Sequence, residues 1–324
     1  MVLVTLFLIF AGGMVTSTGS GLAVPDWPTT YGYQMFSFPI SEMVGGIFYE
    51  HGHRLIAAIV GCLTVVFVVW VWFKENRLWI RRLACLTLLT VVLQGLLGGI
   101  TVLFFLPTGI SVFHAVLAQT FFCFTIILAY AFSDDGRAQK QNTEKYKRIF
   151  TYTIILTILV YFQLVIGAIM RHTHSGLALL DFPFFEGVIL SGFSGDAIVE
   201  INSSRMENWL DPVSLGQILI HSIHRIIGFA IGIFGIAIMW KFKGIHKKTL
   251  RLLWVLVSLI GIQIVLGGIS VLTLKAPIIT SIHVLTGAGI LGLCVFISLR
   301  TLPVRDWLFM TKKSSLEKAG LEKA

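Results

Sequence analysis

The 324-residue chain is poor in charge, because only 13% of its residues are Asp, Glu, Lys or Arg whereas 56% are apolar. Soluble domains carry about twice that charged fraction. The composition therefore excludes a soluble globular protein and indicates an integral membrane protein. The sequence also lacks segments in which apolar and polar residues alternate, which excludes a membrane β-barrel. Helices are then the structure that satisfies the backbone in lipid.

Cysteine is scarce, and its placement excludes an outer-loop disulfide. The four cysteines, Cys62, Cys85, Cys123 and Cys294, all fall in apolar stretches. We expect them to be small apolar core residues. The sequence also lacks a basic segment before its first apolar run, which indicates that this run is a membrane span and not a cleaved signal.

The apolar stretches and the basic residues together predict the topology. Twenty of the 25 lysines and arginines fall in loops or in the C-terminal tail on one side of the predicted spans. The positive-inside rule makes that side cytoplasmic and places both termini there. The net charge of +9 therefore reflects topology and does not indicate nucleic-acid binding. Eight stretches are long enough to cross a core of about 30 Å, near residues 1–19, 48–73, 83–105, 111–132, 149–170, 214–240, 252–273 and 279–300.

The chain contains an internal repeat. The segment SGLAVPDWP at 20–28 recurs as SGLALLDFP at 175–183, and the glutamine-led segment 94–103 recurs at 263–272. An even number of helices per copy gives both copies one orientation in the bilayer. We predict an all-α integral membrane protein of eight transmembrane helices, arranged as two tandem four-helix bundles related by pseudo-twofold symmetry along the membrane normal.

This repeat divides the chain into four predicted parts. They are an N-terminal repeat at 1–135, a cytoplasmic linker at 136–150, a C-terminal repeat at 151–300 and a cytoplasmic tail at 301–324. The second copy carries about sixteen additional residues in one outer loop, around 187–211.

Four histidines occupy matching positions in the two copies: His53 and His114, the first histidine pair, and His224 and His283, the second histidine pair. Each lies a few residues inside a helix entered from the outer side, so the members of a pair share one depth. Two such imidazoles can coordinate both faces of a heme iron, and we predict two heme sites. Zinc is a weaker alternative because it takes three or four ligands. The alternative without a metal is hydrogen-bonded packing.

Residues beside these histidines suggest further roles. Arg54 and Arg225 follow predicted ligands, and each either binds a heme propionate or extends to the membrane interface. Glu50 precedes His53 by three residues, and His221 takes the matching position in the second copy. Glu50 is predicted to act as a general base or to stabilise positive charge during catalysis. The alternative is a solvated residue that caps its helix.

Two other patterns remain open. The glycine pairs at 98–99 and 267–268 permit close helix packing, close approach of a flat macrocycle, or both. His172 and His174 form a His-x-His sequence, for which a surface or propionate-facing role is preferred over transition-metal binding.

The segments 19–28, 50–54 and 221–225 and the two Gln-x-x-x-Gly-Gly helices together resemble the heme A synthase family, over about residues 12–300. The resemblance implies an oxidoreductase of the bacterial plasma membrane that oxidises a methyl group of heme O to the formyl group of heme A. It implies that the first histidine pair positions heme O, that Glu50 assists the oxidation, and that the second pair ligates a prosthetic heme b. Some family members carry two cysteines in the first outer loop, and this chain has none between Val15 and Ile47.

The resemblance also implies partners: a heme O synthase, assembly proteins of a heme-copper oxidase, membrane lipid and an electron acceptor of unknown identity. A homo-oligomer is compatible with the sequence. Two other functions remain open, a diheme b-type electron-transfer protein that modifies neither heme and a duplicated transporter or heme exporter. The difference between Glu50 and His221 favours the enzyme, because a symmetric electron relay does not require a carboxylate at one site alone.

Overall fold

A computed structural model of the chain describes residues 1–137, 144–183 and 195–302. Within these ranges the regular structure is helical, and the single β-bridge joins Thr30 to Tyr33. The fold is therefore all-helical, as the composition predicts. The α-helices are α1 (Val2–Ser17), α2 (Gly45–Lys74), α3 (Leu78–Leu103), α4 (Thr108–Phe132), α5 (Asp134–Arg137), α6 (Glu144–His172), α7 (Gly195–Glu207), α8 (Leu215–Lys241), α9 (Lys247–Leu272) and α10 (Pro277–Thr301).

Seven of the described helices are long and apolar enough to cross a membrane: α2, α3, α4, α6, α8, α9 and α10. The expected eighth span is α1, which is apolar but has 16 residues. At 1.5 Å per residue α1 is about 24 Å long, shorter than a hydrocarbon core of about 30 Å. The protein is thus a multi-pass membrane protein with seven helices of spanning length in the described ranges, and the number eight stays a prediction.

The helix order in space follows the chain. α1 contacts α2 and α4, α2 contacts α3, and α3 contacts α4, so these four helices form a closed ring. In the same way α6 contacts α8 and α10, α8 contacts α9, and α9 contacts α10. α1 packs on α10, and α4 packs on both α6 and α10, which joins the two rings. The largest apolar cluster lies in the second ring and at this junction, with Leu156, Ile238 and Leu291 at 1% exposure or less.

The helix boundaries have local causes. Ser214 begins α8 with a capping box, in which the side chains of Ser214 and Gln217 each accept a hydrogen bond from the backbone amide of the other residue. Such a box satisfies amide groups that the first turn leaves unpaired. α10 begins with Pro277, whose ring is compatible with the first helical position.

Part of the outer loop that is longer in the second copy forms α7. Residues 184–194 of this loop, like the linker residues 138–143 and the tail from 303 onward, lie outside the described residues. α7 packs through Ile201 against Leu179, Val213 and Ile218. Arg205 of α7 donates hydrogen bonds to the carbonyl groups of Leu177 and Asp211. α7 therefore packs on the second outer loop and on the start of α8.

The expectation that all four cysteines are core residues is wrong for two of them. Cys294 is buried and Cys123 is half-buried, but Cys62 and Cys85 are exposed on the surfaces of α2 and α3. These two helices present apolar side chains outward as well as inward, because lipid accepts them. Apolar character in a membrane span therefore does not indicate burial within the protein.

Candidate functional site: two histidine pairs

The structure brings the members of each histidine pair together. Each histidine lies within the first three turns of its helix, His53 in α2, His114 in α4, His224 in α8 and His283 in α10. The rings of the first pair lie close enough for their charges to interact, and so do the rings of the second pair. Each pair thus joins the second and fourth long helices of its ring.

All four imidazole rings carry an unused polar atom. Each ring is half-buried, and its Nδ1 is buried without a hydrogen-bond partner among the described residues. Buried polar atoms are rarely left unpaired, because their desolvation is then not compensated. The same unpartnered Nδ1 occurs at all four histidines. This arrangement fits imidazoles that are positioned to ligate a metal better than histidines whose role is packing. The donor set of two imidazoles per site fits a heme iron.

A glycine faces every one of these rings. A Cβ on Gly12 would lie 3.0 Å from His53 Cε1, and one on Gly167 would lie 3.2 Å from His224 Cε1. The corresponding distances are 3.5 Å from Gly98 to His114 Cε1 and 3.1 Å from Gly267 to His283 Cε1. The missing side chains allow each ring to lie against the neighbouring helix. Gly12 and Gly167 were not singled out by the sequence analysis, although their separation of 155 residues equals that of the two loop segments.

Glutamine side chains fix the histidine-bearing helices from the neighbouring ones. Gln94 Nε2 donates to the carbonyl oxygen of His114 at 2.9 Å, and Gln163 Nε2 donates to that of His224 at 2.7 Å. Gln263, which repeats Gln94, lies instead 3.3 Å from the Nε2 of His283. Gln163 lies outside the repeated motifs, so no pattern in the sequence indicates it.

The second glycine of each glycine pair receives an aromatic ring from the outer loop. A Cβ on Gly99 would overlap the indole of Trp27, and one on Gly268 would overlap the ring of Phe182. The two loop segments therefore insert their aromatic residue against α3 and α9. Gly99 and Gly268 therefore make room for a loop side chain from the same protein, which the sequence analysis did not anticipate, and the approach of a macrocycle to either glycine pair stays a prediction.

Glu50 and Arg54 form a buried hub beneath the first outer loop. Glu50 is 4% exposed, and its carboxylate accepts hydrogen bonds from Arg54 Nη2 at 2.7 Å and from the Val24 amide at 2.8 Å. Arg54 also donates to the carbonyl oxygens of Val24, Asp26 and Thr29. The carboxylate and the guanidinium therefore hold the loop in place, and neither is a solvated surface group.

His221 and Arg225 form the matching hub in the second half. His221 is 2% exposed, with its Nδ1 3.2 Å from the Leu179 amide and its Nε2 3.1 Å from Arg225 Nε. Arg225 donates to the Leu179 carbonyl and pairs with Asp181 at 3.4 Å. Glu50 and His221 thus occupy one structural position, and each contacts a loop amide and the arginine one turn later. The two hubs differ in charge at this position, because Glu50 is a carboxylic acid and His221 is an imidazole.

The first outer loop has its own polar centre at Asp26. The Asp26 carboxylate accepts hydrogen bonds from Thr29 Oγ1 at 2.5 Å and from the amides of Tyr31 and Gly32 at 2.8 and 2.9 Å. Burial raises the pKa of Asp26, but the hydrogen bonds from Gly32, Thr29 and Tyr31 outweigh it and bring that pKa below its usual value. Below this turn, Thr30 bonds the buried His51 at 2.9 Å.

Within the part of the chain that the structure describes, His172 and His174 belong to no larger group of potential metal ligands. No group of three or more potential metal ligands occurs among the residues that the structure describes. His172 ends α6, and its carbonyl oxygen accepts from Thr108 at 3.4 Å. His174 is exposed with a left-handed φ of 56° at the turn into Ser175. His174 thus lies at the surface and His172 is half-buried, and the surface or propionate-facing role of the two stays a prediction.

Comparison with known proteins places this arrangement in a family. A sequence model of the COX15-CtaA family, described as cytochrome oxidase assembly protein, matches residues 1–295. The chain belongs to this family. The match covers both histidine pairs, both hubs and all the long helices up to most of α10.

Several proteins that are similar to this chain are named heme A synthase. The protein of Shouchella clausii is 30% identical over 185 residues, which cover 56% of this chain and 60% of that protein. That of Alkalihalophilus pseudofirmus is 25% identical over 286 residues, with 86% of this chain and 88% of that protein covered. That of Rickettsia rickettsii is 26% identical over 323 residues, with 89% and 92% covered.

Proposed function

We propose that the protein is a heme A synthase, an oxidoreductase that oxidises a methyl group of heme O to the formyl group of heme A. Membership of a cytochrome oxidase assembly family and relatives named heme A synthase support this function. The observation that carries it is the duplicated site, in which paired imidazoles with unpartnered Nδ1 atoms lie against glycines. The product would serve the biogenesis of a heme-copper oxidase.

The two sites would hold different hemes. The first histidine pair would bind heme O as substrate, and the second pair would bind heme b as a prosthetic group. When bound, the hemes supply the iron redox chemistry. The chain supplies orientation, because Gly12 and Gly98 let the first-pair rings lie close to the neighbouring helices and Gln94 fixes the helix of His114. Trp27 packs against Gly99 and would cover the outer end of the site, which would limit the entry of water.

Glu50 would assist the oxidation through its charge. Its carboxylate lies one helical turn from His53 and is already bonded to Arg54 and to the Val24 amide. Each of its two oxygens therefore already accepts a hydrogen bond, Oε1 from Arg54 and Oε2 from Val24. These contacts support a role in holding the loop and in stabilising positive charge at the substrate site, more than direct removal of a proton. Arg54 and Arg225 would act in the same way, by holding the loops that cover each heme edge.

The proposed orientation places both termini in the cytoplasm of a bacterial cell, with the two hubs on the outer side. The basic clusters on one side of the spans support it. The two rings of helices support tandem four-helix bundles related along the membrane normal, with α1 as the eighth span.

Pigment analysis tests this function. The protein is expressed with and without a heme O synthase, purified, and its hemes are separated by reversed-phase chromatography. We expect heme A only when heme O is supplied, and heme b in both cases. A preparation that contains heme b but never heme A would instead identify a diheme electron-transfer protein.

Single variants test the assignment of the two sites. His224→Ala and His283→Ala should each remove the low-spin heme b spectrum, whereas His53→Ala and His114→Ala should abolish heme A and leave heme b. His246→Ala is the control, because His246 is exposed between α8 and α9, at the opposite end of α8 from His224. A heme b spectrum that survives in both second-pair variants contradicts the assignment.

A further inference from the structure

Positive charge is unevenly distributed between the two sites. Five basic residues lie outside the clusters that set the topology: Arg54, Arg171, Arg205, Arg225 and Lys275. All but one of them belong to the second half of the chain. Arg54 is neutralised by Glu50, and Arg205 and Arg225 bond carbonyl groups of the second outer loop. Within the described residues, Arg171 and Lys275 bond neither a carboxylate nor a carbonyl group of this loop.

Lys275 lies in the short turn between α9 and α10. Its aliphatic stem packs on Gly176, at 3.7 Å from where a Cβ would lie. Burial lowers the pKa of Lys275, and the nearby charges of Arg171 and Arg205 lower it further. Lys275 also lies within electrostatic range of His221. Its ammonium group is therefore half-buried among other cations at the outer end of the second site.

Arg171 approaches the same site from the end of α6. Its Nη2 donates to the carbonyl oxygen of Gly13 at 2.8 Å and to Ser17 Oγ at 2.7 Å, both in α1. Its charge lies close enough to His283 to interact with it. These bonds hold the guanidinium at the junction of the two rings, within electrostatic range of His283.

Neither cation has a carboxylate partner among the residues that the structure describes. The ion pairs formed within the described ranges involve other residues. Cations that are withdrawn from water without a counter-charge are costly, and the cost is removed when an anion binds. Two adjacent cations with this property indicate a site for an anionic ligand with more than one acidic group.

The first half carries neutral residues at both matching positions. Leu106 corresponds to Lys275: it packs on Gly21 as Lys275 packs on Gly176, and both have left-handed φ angles, 58° and 66°. The amide of each donates to a carbonyl five residues earlier at 2.7 Å. Thr16 corresponds to Arg171 by the offset of 155 residues that relates the loop segments. The backbone is thus duplicated, and only the charge has changed.

We propose that Arg171 and Lys275 bind the propionate carboxylates of the heme held by the second histidine pair, and so retain that heme. The proposal rests on the proposed function, which places a heme at each pair. The two cations match the two carboxylates of a heme, and charge-assisted bonds to them are stronger than neutral ones. The first site lacks both cations, so its heme is bound more weakly and leaves after modification.

The test exchanges the residues at the matching positions. Lys275→Leu introduces the residue that the first half carries, and Leu106→Lys makes the reverse change. The rate of heme b loss from the purified protein is measured by transfer to heme-free myoglobin. We expect Lys275→Leu to accelerate this loss by about tenfold or more, Lys275→Arg to restore retention, and the exposed Lys243→Leu to change nothing. Leu106→Lys should slow the loss of heme from the first site.

A second readout is the midpoint potential of heme b. A nearby cation stabilises the ferrous form, which carries one positive charge fewer, so Lys275→Leu and Arg171→Gln should both lower the potential. Unchanged potential and unchanged heme loss in both variants, with an intact heme b spectrum, overturn the proposal. If Lys275→Leu instead loses bound phosphatidylglycerol and retains heme normally, the anion is a lipid headgroup and the proposal is also wrong.

The proposed function fails in a different way. If heme b persists in both His224→Ala and His283→Ala, the second histidine pair does not hold a heme. The proposed function then fails whatever the behaviour of Lys275. Heme b that is lost in these variants but unaffected by Lys275→Leu and Arg171→Gln preserves the function and removes only the role of the two cations.

Discussion

The substitution Glu50→Gln separates the structural role of this carboxylate from a chemical one. It removes one negative charge while keeping the size of the side chain and an oxygen that can accept from the Val24 amide. Glu50 is 4% exposed and Arg54 is 9% exposed, so the variant leaves a buried guanidinium without its carboxylate. The matched variant is His221→Gln, which changes the same position of the second hub without removing a charge.

The magnitude follows from the contacts. Removing one partner of a buried ion pair costs about 3–5 kcal/mol. Arg54 keeps its hydrogen bonds to the carbonyl groups of Val24, Asp26 and Thr29, so we expect the lower value, about 3 kcal/mol. His221→Gln alters hydrogen bonds alone and should cost about 1 kcal/mol. Glu50→Gln should therefore destabilise the protein by about 2 kcal/mol more than His221→Gln.

The assay is denaturant unfolding in detergent micelles, followed together with the yield of heme A in cells that make heme O. The double variant Glu50→Gln with Arg54→Gln completes a thermodynamic cycle and isolates the coupling between the two side chains. We expect this coupling to be favourable and heme A yield to fall with stability. A Glu50→Gln protein that is as stable as the wild type but makes no heme A would refute the structural reasoning and assign Glu50 directly to the substrate.

Two further predictions concern the first outer loop. Gly99→Ala should displace Trp27 and lower the free energy of unfolding by about 1–3 kcal/mol through overpacking. Gly95→Ala is the control and should be neutral or stabilising, because it lies one turn earlier in α3 with no atom within 4 Å of the new methyl group. Equal unfolding midpoints for the two variants would contradict the contact. Because the pKa of Asp26 is lowered in the folded loop, its contribution is present above the unfolded pKa near 4 and is lost as pH falls through the lower folded value. Limited proteolysis of the loop should therefore accelerate in acid for the wild type, and a similar acceleration in Asp26→Asn would show that another group is responsible.

Much of the site follows from the repeat. The sequence identifies four candidate ligand-binding histidines, His53, His114, His224 and His283. Histidines at duplicated positions and at one depth of a membrane bundle have few explanations other than binding of a shared ligand. The role of Glu50 could not be derived in this way. A spacing of three residues places Glu50 and His53 on one side of a helix, but only the packed loop shows that the carboxylate is bonded to Arg54 and Val24.

The glycine pairs show the same limit. Sequence alone indicates that side chains are absent at Gly99 and Gly268, and it does not show what fills the space. The answer comes from Trp27 and Phe182, which are 72 and 86 residues away in the chain. Contacts between distant segments depend on how each loop folds back onto α3 or α9, and local sequence patterns do not contain that information.

By itself the sequence determined the membrane class, the helical fold and the two histidine pairs, because hydropathy and repetition are properties of the linear sequence and need no knowledge of the fold. Tertiary structure decided which charges are neutralised. Arg54 and Arg225 are alike in sequence, but one is paired with a buried carboxylate and the other with an imidazole and Asp181. Lys275 and Leu106 are likewise equivalent only when their glycine contacts are seen. Electrostatic energy depends on distance and burial, and those quantities exist only once the chain has folded.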